Sequence, residues 1–159
     1  MSDANQQALK ARLRSHLTES IRGRDELRTA TIRMALTAVQ TEEVAGDTAR
    51  ELTDAEVTTV LTREAKKRRE AATAFEDAGR PEKAARERDE LAVLLGYLPS
   101  QLSDDDVVAL VAEEVAAAAA AGVSGTPAMG RVMKALQPRV AGRAEGGLVA
   151  AEVRRQLAG

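Results

Sequence analysis

The chain has 159 residues, a single histidine and no cysteine, which excludes disulfides, thiolate metal sites, histidine-rich metal clusters and a cysteine nucleophile. Its 23 basic and 25 acidic residues give a net charge of −2, so no overall basic excess indicates nucleic-acid binding, and no DNA partner is expected. The start of the chain is polar, and the longest apolar run, 115–123, is far shorter than the ~20 residues of a membrane span. We therefore expect a cytoplasmic protein with no membrane contact.

Apolar residues at helical spacing, interrupted by glycine and proline, predict seven helices and no strand. The first four are expected over residues 3–22, 25–45, 53–78 and 81–98. Thr53 and Glu56 have the spacing of a capping box, in which each side chain binds a backbone N–H of the other. The short connections between these helices predict an antiparallel bundle or a pair of long helical hairpins.

The character of the chain changes after Pro99. Ser103 and the three aspartates that follow it predict the start of a fifth helix, over 103–121, rather than a metal site. The last two helices are expected over 126–136 and 145–157, with Pro138 ending the sixth and Leu148 facing inward. The sequence thus predicts an all-α protein with a four-helix bundle in residues 1–99 and a small three-helix domain in 100–159.

Positive charge is concentrated in residues 10–33, in residues 63–69 and beyond residue 125, whereas the predicted fifth helix carries five acidic residues and no basic one. One interpretation is that these cations cover solvated helix faces and pair with glutamates one turn away. The other is that they align into a phosphate-binding surface, because Lys and Arg release counterions when they neutralise phosphates. Charge alone does not decide between them.

Catalytic signatures are missing from the sequence. It holds no phosphate-binding loop motif, and no nucleophile with a positioned base. His16 lies beside an apolar stripe and is interpreted as a boundary residue rather than a catalytic base. Glu64 and Arg68, on the apolar side of the third helix, are interpreted as a structural ion pair, with Arg68 reaching a ligand as the alternative. We expect neither a metal nor a cofactor, and no self-sufficient enzyme.

Three segments together resemble the YqeY-like family: GYLPSQLS at 96–103, MGRVMKAL at 129–136 and PRVAGRA at 138–144. The resemblance also takes in 63–69, Phe75, 78–80 and 90–91, nearly the whole chain. YqeY-like proteins are stand-alone proteins similar to the C-terminal helical and tail region of the GatB subunit of the tRNA-dependent amidotransferase. The resemblance implies a long-helix N-terminal part followed by a three-helix C-terminal domain.

The resemblance also implies a function, which is binding tRNA or assisting tRNA-dependent amidation. In the amidotransferase, the corresponding region recognises the misacylated tRNA, while the catalytic sites lie in other domains. Family members are often labelled carbon–nitrogen ligases with glutamine as amido-N-donor, and the chain would be such a ligase if that label holds. We interpret the label as inherited from the larger enzyme and expect no catalytic residue in this chain.

Two groups of cations are the expected RNA contacts. The first group would be gathered by Pro138 and Gly142 around one helix–turn–helix connection; it comprises Arg131, Lys134, Arg139 and Arg143. The second comprises Lys66, Lys67 and Arg69. Two alternatives remain open. The same surface could dock an acidic protein, such as an amidotransferase subunit, or the chain could be a small ligase in its own right.

Overall fold

The computed structural model describes residues 8–159, which form seven α-helices and no strand. The helices are Leu9–Arg22 (α1), Glu26–Glu43 (α2), Asp54–Asp77 (α3), Pro81–Leu95 (α4), Asp104–Ala120 (α5), Thr126–Val140 (α6) and Gly146–Ala158 (α7). The prediction of an all-α protein is confirmed for these residues, while residues 3–7 of the first predicted helix lie outside them. No helix within this range has the length and hydrophobicity to cross a membrane.

The chain divides into two compact units, one ending at Leu98 and the other beginning at Pro99. The first unit holds α1–α4, and each of these helices contributes fully buried side chains to one core: Leu13, Ile32, Val39, Leu61 and Leu94. The second unit holds α5–α7 around a separate core of smaller residues: Val111, Val132, Leu136, Val149 and Val153. Each helix therefore presents one buried stripe, as the apolar spacing requires.

Two helices begin with capping boxes; the sequence predicts the one at Thr53, and at Ser103 it predicts only a helix start. Thr53 Oγ1 accepts the N–H of Glu56, and the Glu56 carboxylate accepts the N–H of Thr53 in return. Ser103 and Asp106 exchange the same two bonds at the start of α5. These bonds satisfy amide groups that have no partner inside the helix, and the second box accounts for Asp106.

Glu56 links this cap to the pH dependence of stability. Two hydrogen bonds from Arg50, at 2.9 and 2.6 Å, and one from the Thr53 N–H lower the pKa of Glu56 from 4.5 to about 2. A carboxylate whose pKa is lower in the folded chain stabilises the fold above the unfolded pKa, and this contribution is lost as the pH falls through the folded pKa.

We therefore expect Glu56→Gln to be less stable than the wild type near neutral pH, and the difference to shrink between a pH of about 4.5 and about 2. The measurement is urea denaturation at several pH values, followed by the emission of Tyr97. That emission reports the first unit, since the chain has no other tyrosine and no tryptophan. A stability difference that stays constant with pH would contradict the assignment.

Three sequence predictions differ from the structure. Pro138 lies inside α6, which continues to Val140 rather than ending before the proline. The helix continues because Leu136 and Val140 are both buried in the core of the second unit, which offsets the missing hydrogen bond. The fourth helix ends at Leu95, before Gly96, and not at residue 98. Leu148, expected to face inward, is 59% exposed, because Val149 and Val153 occupy the buried side of α7.

Pro138 is expected to destabilise the second unit, since it removes one bond of the α6 ladder. Pro138→Ala restores that N–H, at the cost of a more flexible unfolded chain. We expect the free energy of unfolding of the second unit to rise by about 1 kcal/mol. Far-UV circular dichroism in urea measures this, with Gln137→Ala, at an exposed neighbour, as the control. A lower midpoint for Pro138→Ala would show that the proline is needed at this position.

Candidate functional site

Arg131 and Lys134 form an exposed pair of cations on α6. They are three residues apart, so they lie on the same side of the helix, about 60° from each other around its axis. The opposite side of α6 carries the buried stripe that includes Val132 and Leu136. Within residues 8–159, neither cation forms an ion pair with a carboxylate. We call Arg131 and Lys134 the α6 pair.

Arg139 does not join the α6 pair, because it points toward α5. Its guanidinium forms ion pairs with Glu113 at 2.8 Å and with Glu114 at 3.0 Å. Hydrogen bonds to these two carboxylates hold the pKa of Arg139 above its ordinary value. Arg139 is seven residues beyond Val132, and that spacing places it beside the buried stripe of α6.

Arg143 holds two stretches of the second unit together. Its Nε donates to the Ser100 carbonyl at 3.0 Å, and its own carbonyl accepts the Leu102 N–H at 2.8 Å. Beside it, the Gln101 amide donates to the carbonyl of Gly142 at 2.7 Å. Gly142 has a φ of +71°, a backbone conformation that favours glycine. These bonds join the segment before α5 to the connection between α6 and α7.

The first group of four expected RNA contacts thus divides into two kinds. Arg131 and Lys134 are exposed without a carboxylate partner in the described part of the chain, whereas Arg139 and Arg143 are half-buried and bonded within the second unit. An anion that binds the α6 pair would therefore not have to break an ion pair first.

The second group, on α3, lies on a surface of mixed charge. Lys67 forms an ion pair with Glu64 at 2.8 Å, and Lys66 lies 3.9 Å from Glu70. Arg69 is half-buried and lies about 160° from Lys67 around the helix axis. The structure does not bring these three cations together on one face, and both lysines have carboxylate neighbours.

Arg68 is the centre of a largely buried charge network between α3 and α4. Its Nε lies 3.0 Å from Glu90 and 3.8 Å from Glu87, while its guanidinium is 3.9 Å from Glu64. Glu64 and Glu90 are buried, at 9% and 7% exposure. The pair expected from the sequence is thus part of a larger network, in which the closest contact of Arg68 joins two helices and not two turns of one helix.

Three carboxylates surround this one buried guanidinium, so exposed cations must balance the remaining negative charge. Lys67 reaches Glu64, and Arg86 lies 3.4 Å from Glu90. Three cations and three anions then form a neutral set. Removing Arg68 would leave Glu90 without its closest cation and Glu87 without its nearest one, so we expect Arg68 to contribute to stability.

A second cluster, which the sequence does not reveal, surrounds Tyr97. Its hydroxyl lies 2.7 Å from His16 Nδ1 of α1, and the Arg28 guanidinium of α2 lies 3.4 Å from both atoms. The Arg12 guanidinium lies over the phenol ring, 5.8 Å from its centroid. Burial raises the pKa of Tyr97, while the charge of Arg28 opposes this. We call Arg12, His16, Arg28 and Tyr97 the Tyr97 cluster.

Only part of the Tyr97 cluster has a local sequence signal. Arg12 and His16 are four residues apart and therefore share a face of α1. Arg28 and Tyr97 are 69 residues apart along the chain, so helical periodicity cannot predict that they meet. His16 is half-buried, beside the apolar stripe, but its hydrogen bond to Tyr97 could not be foreseen.

Comparison with protein families gives one match. The family described as Yqey-like protein matches residues 10–157, nearly the full length of the chain. This range takes in nearly all of both units, together with the α6 pair, the charge network around Arg68 and the Tyr97 cluster. No curated protein matches the sequence significantly.

Proposed function

The chain belongs to the YqeY-like family, and from that premise we propose that it binds structured RNA, with tRNA as the RNA class, and does not catalyse amidation by itself. The choice of tRNA rests on the similarity of this family to the tRNA-recognising region of the GatB subunit. Since tRNA is the ligand class, we propose a cytoplasmic place of action.

The α6 pair is the single observation that carries this proposal. Arg131 and Lys134 present two neighbouring positive charges that no carboxylate within residues 8–159 neutralises. Folded RNA is recognised largely through its shape and phosphates, so a surface without aromatic side chains is suited to it. Two neighbouring positive charges suffice to neutralise two phosphates of one RNA strand.

Arg139 and Arg143 have a different role in this proposal. They position the α6 pair, because Arg139 fixes the side of α6 that faces α5, and Arg143 fixes the loop that follows α6. Lys66, Lys67 and Arg69 are proposed as secondary contacts, since any phosphate bound by the lysines competes with Glu64 and Glu70.

The direct test measures binding of total tRNA to the purified chain by fluorescence anisotropy, at low and at physiological salt. We expect saturable binding that weakens steeply as salt increases. Absence of binding at low salt would remove the proposal. Glutamine-dependent amidation by the chain alone would show that it is an enzyme, contrary to the proposal.

The alternative is a module that docks an acidic protein, such as an amidotransferase subunit, and the α6 pair could serve it equally well. Affinity capture from a lysate, with and without nuclease, separates the two functions. Recovery of tRNA that nuclease abolishes supports RNA binding. Recovery of an amidotransferase subunit unaffected by nuclease, with no RNA bound, favours the docking function.

A further inference from the structure

We propose that the Tyr97 cluster in the first unit is a binding site for a phosphate group, carried by a free nucleotide or by the 5′ end of an RNA. This site involves none of the residues of the α6 pair. It therefore stands or falls separately from the RNA-binding function proposed above.

Three elements bring polar groups to one point in the first unit. Helix α1 supplies Arg12 and His16, the first turn of α2 supplies Arg28, and Tyr97 follows the end of α4. The tyrosine is 7% exposed, so its ring forms a fixed base beneath the other three side chains. Those three residues are only half-buried, so the cluster reaches the surface of the first unit.

The charges of the cluster are not balanced by the described residues. Neither Arg12 nor Arg28 forms an ion pair with any carboxylate in residues 8–159. The Asp25 carboxylate, nearest to Arg28 in sequence, caps α2 by accepting the Arg28 backbone N–H at 3.0 Å. Glu19 forms no ion pair with the cluster in the described residues, and its charge raises the pKa of Tyr97 through space, after the larger effect of burial.

The positive charge of Arg28 is repelled by the positive end of α2, and a bound anion would offset this repulsion. Arg28 lies in the first turn of α2, where the partial positive charge of the helix end favours carboxylates and disfavours cations. A bound anion would interact favourably with Arg28, with Arg12 and with this helix end at once.

Phosphate fits the cluster better than a carboxylate does. The two guanidinium groups together carry two positive charges, which match the dianionic form of a phosphomonoester. Each guanidinium has five N–H donors, and the one contact that Arg28 makes to the hydroxyl is long, at 3.4 Å. Most donors therefore remain available, and three phosphate oxygens accept more of them than two carboxylate oxygens do.

The test uses signals that are unique in this chain. His16 is the only histidine and Tyr97 the only tyrosine, so the imidazole NMR resonances and the tyrosine emission each report this cluster alone. The wild-type chain is titrated with inorganic phosphate and pyrophosphate at constant ionic strength and pH, and with chloride as the control. We expect saturable shifts with both phosphates and none with chloride.

Variants assign the response to the cluster. Arg12→Gln with Arg28→Gln is expected to weaken phosphate binding by at least about tenfold. Arg14→Gln is the control, since Arg14 is exposed on the same helix but about 160° from Arg12 around its axis. If the double variant is unfolded, Tyr97→Phe serves in its place, because it keeps the ring and removes only the hydroxyl. Phosphate binding to this variant is followed by the His16 resonances, and weaker binding than in the wild type supports the site.

Two further arms distinguish the source of the phosphate. Tighter binding of a short 5′-phosphorylated RNA than of its dephosphorylated form identifies an RNA end as the ligand. Saturable binding of nucleoside monophosphates, with no preference between the two RNAs, identifies a free nucleotide. The proposal is overturned if wild-type signals do not saturate with phosphate, or if both cluster variants respond as the wild type does.

Discussion

Replacing Arg68 by methionine is expected to lower the free energy of unfolding of the first unit by about 3–5 kcal/mol, the largest single effect that this structure suggests. The substitution keeps most of the side-chain volume and removes the charge. Glu90 then loses its closest cation and Glu87 loses the cation nearest to it, so the desolvation of these two carboxylates is no longer compensated by a buried charge.

Urea denaturation followed by Tyr97 emission measures this loss. Lys67→Met is the control on the same network, because Lys67 pairs with Glu64 from a position that is 65% exposed. Removing it should cost about 1 kcal/mol or less. Replacing Arg68 by Met together with Glu87→Gln and Glu90→Gln should recover much of the stability, since Glu64 keeps Lys67 as its partner. An Arg68→Met variant within 1 kcal/mol of the wild type would contradict the buried network.

Replacing the α6 pair, Arg131→Gln with Lys134→Gln, is expected to weaken tRNA binding at low salt by about tenfold or more, without loss of stability. Both side chains are exposed and lack carboxylate partners within residues 8–159, so their removal leaves the core of the second unit intact. Fluorescence anisotropy gives the affinity, and circular dichroism in urea gives the stability.

A control variant carries the same change of net charge. Arg88→Gln with Arg155→Gln also removes two positive charges, but each of these arginines is paired with a glutamate, Glu76 and Glu152 respectively. Its tRNA affinity should stay close to that of the wild type. Equal losses for both double variants would mean that total charge, and not the position of the α6 pair, determines binding.

Local signals in the sequence predict much of the fold. Capping pairs such as Thr53 with Glu56 fix helix starts, since both partners lie within one turn. The spacing of apolar residues along α6 likewise predicts which side of this helix faces the core. Pro138 shows the limit of local reasoning, because burial of Val140 outweighs the helix-breaking tendency of a proline two residues earlier.

The candidate sites are less predictable, because they depend on contacts between distant residues. The distance of seven residues from Val132 to Arg139 already places that arginine beside the core, a signal present in the sequence. The partners of Arg139 on α5, by contrast, come from 25 and 26 residues away. Tyr97 and His16 meet across 81 residues, and no pattern within a single helix carries that information.

The most direct test of RNA binding through the α6 pair is the salt dependence of tRNA affinity. The slope of log K against log salt concentration reports how many phosphates are neutralised, at about 0.9 per contact in a duplex. We predict that the magnitude of this slope is smaller by about 2 in Arg131→Gln with Lys134→Gln than in the wild type, and unchanged in Arg88→Gln with Arg155→Gln. The same slope in all three proteins would contradict the account.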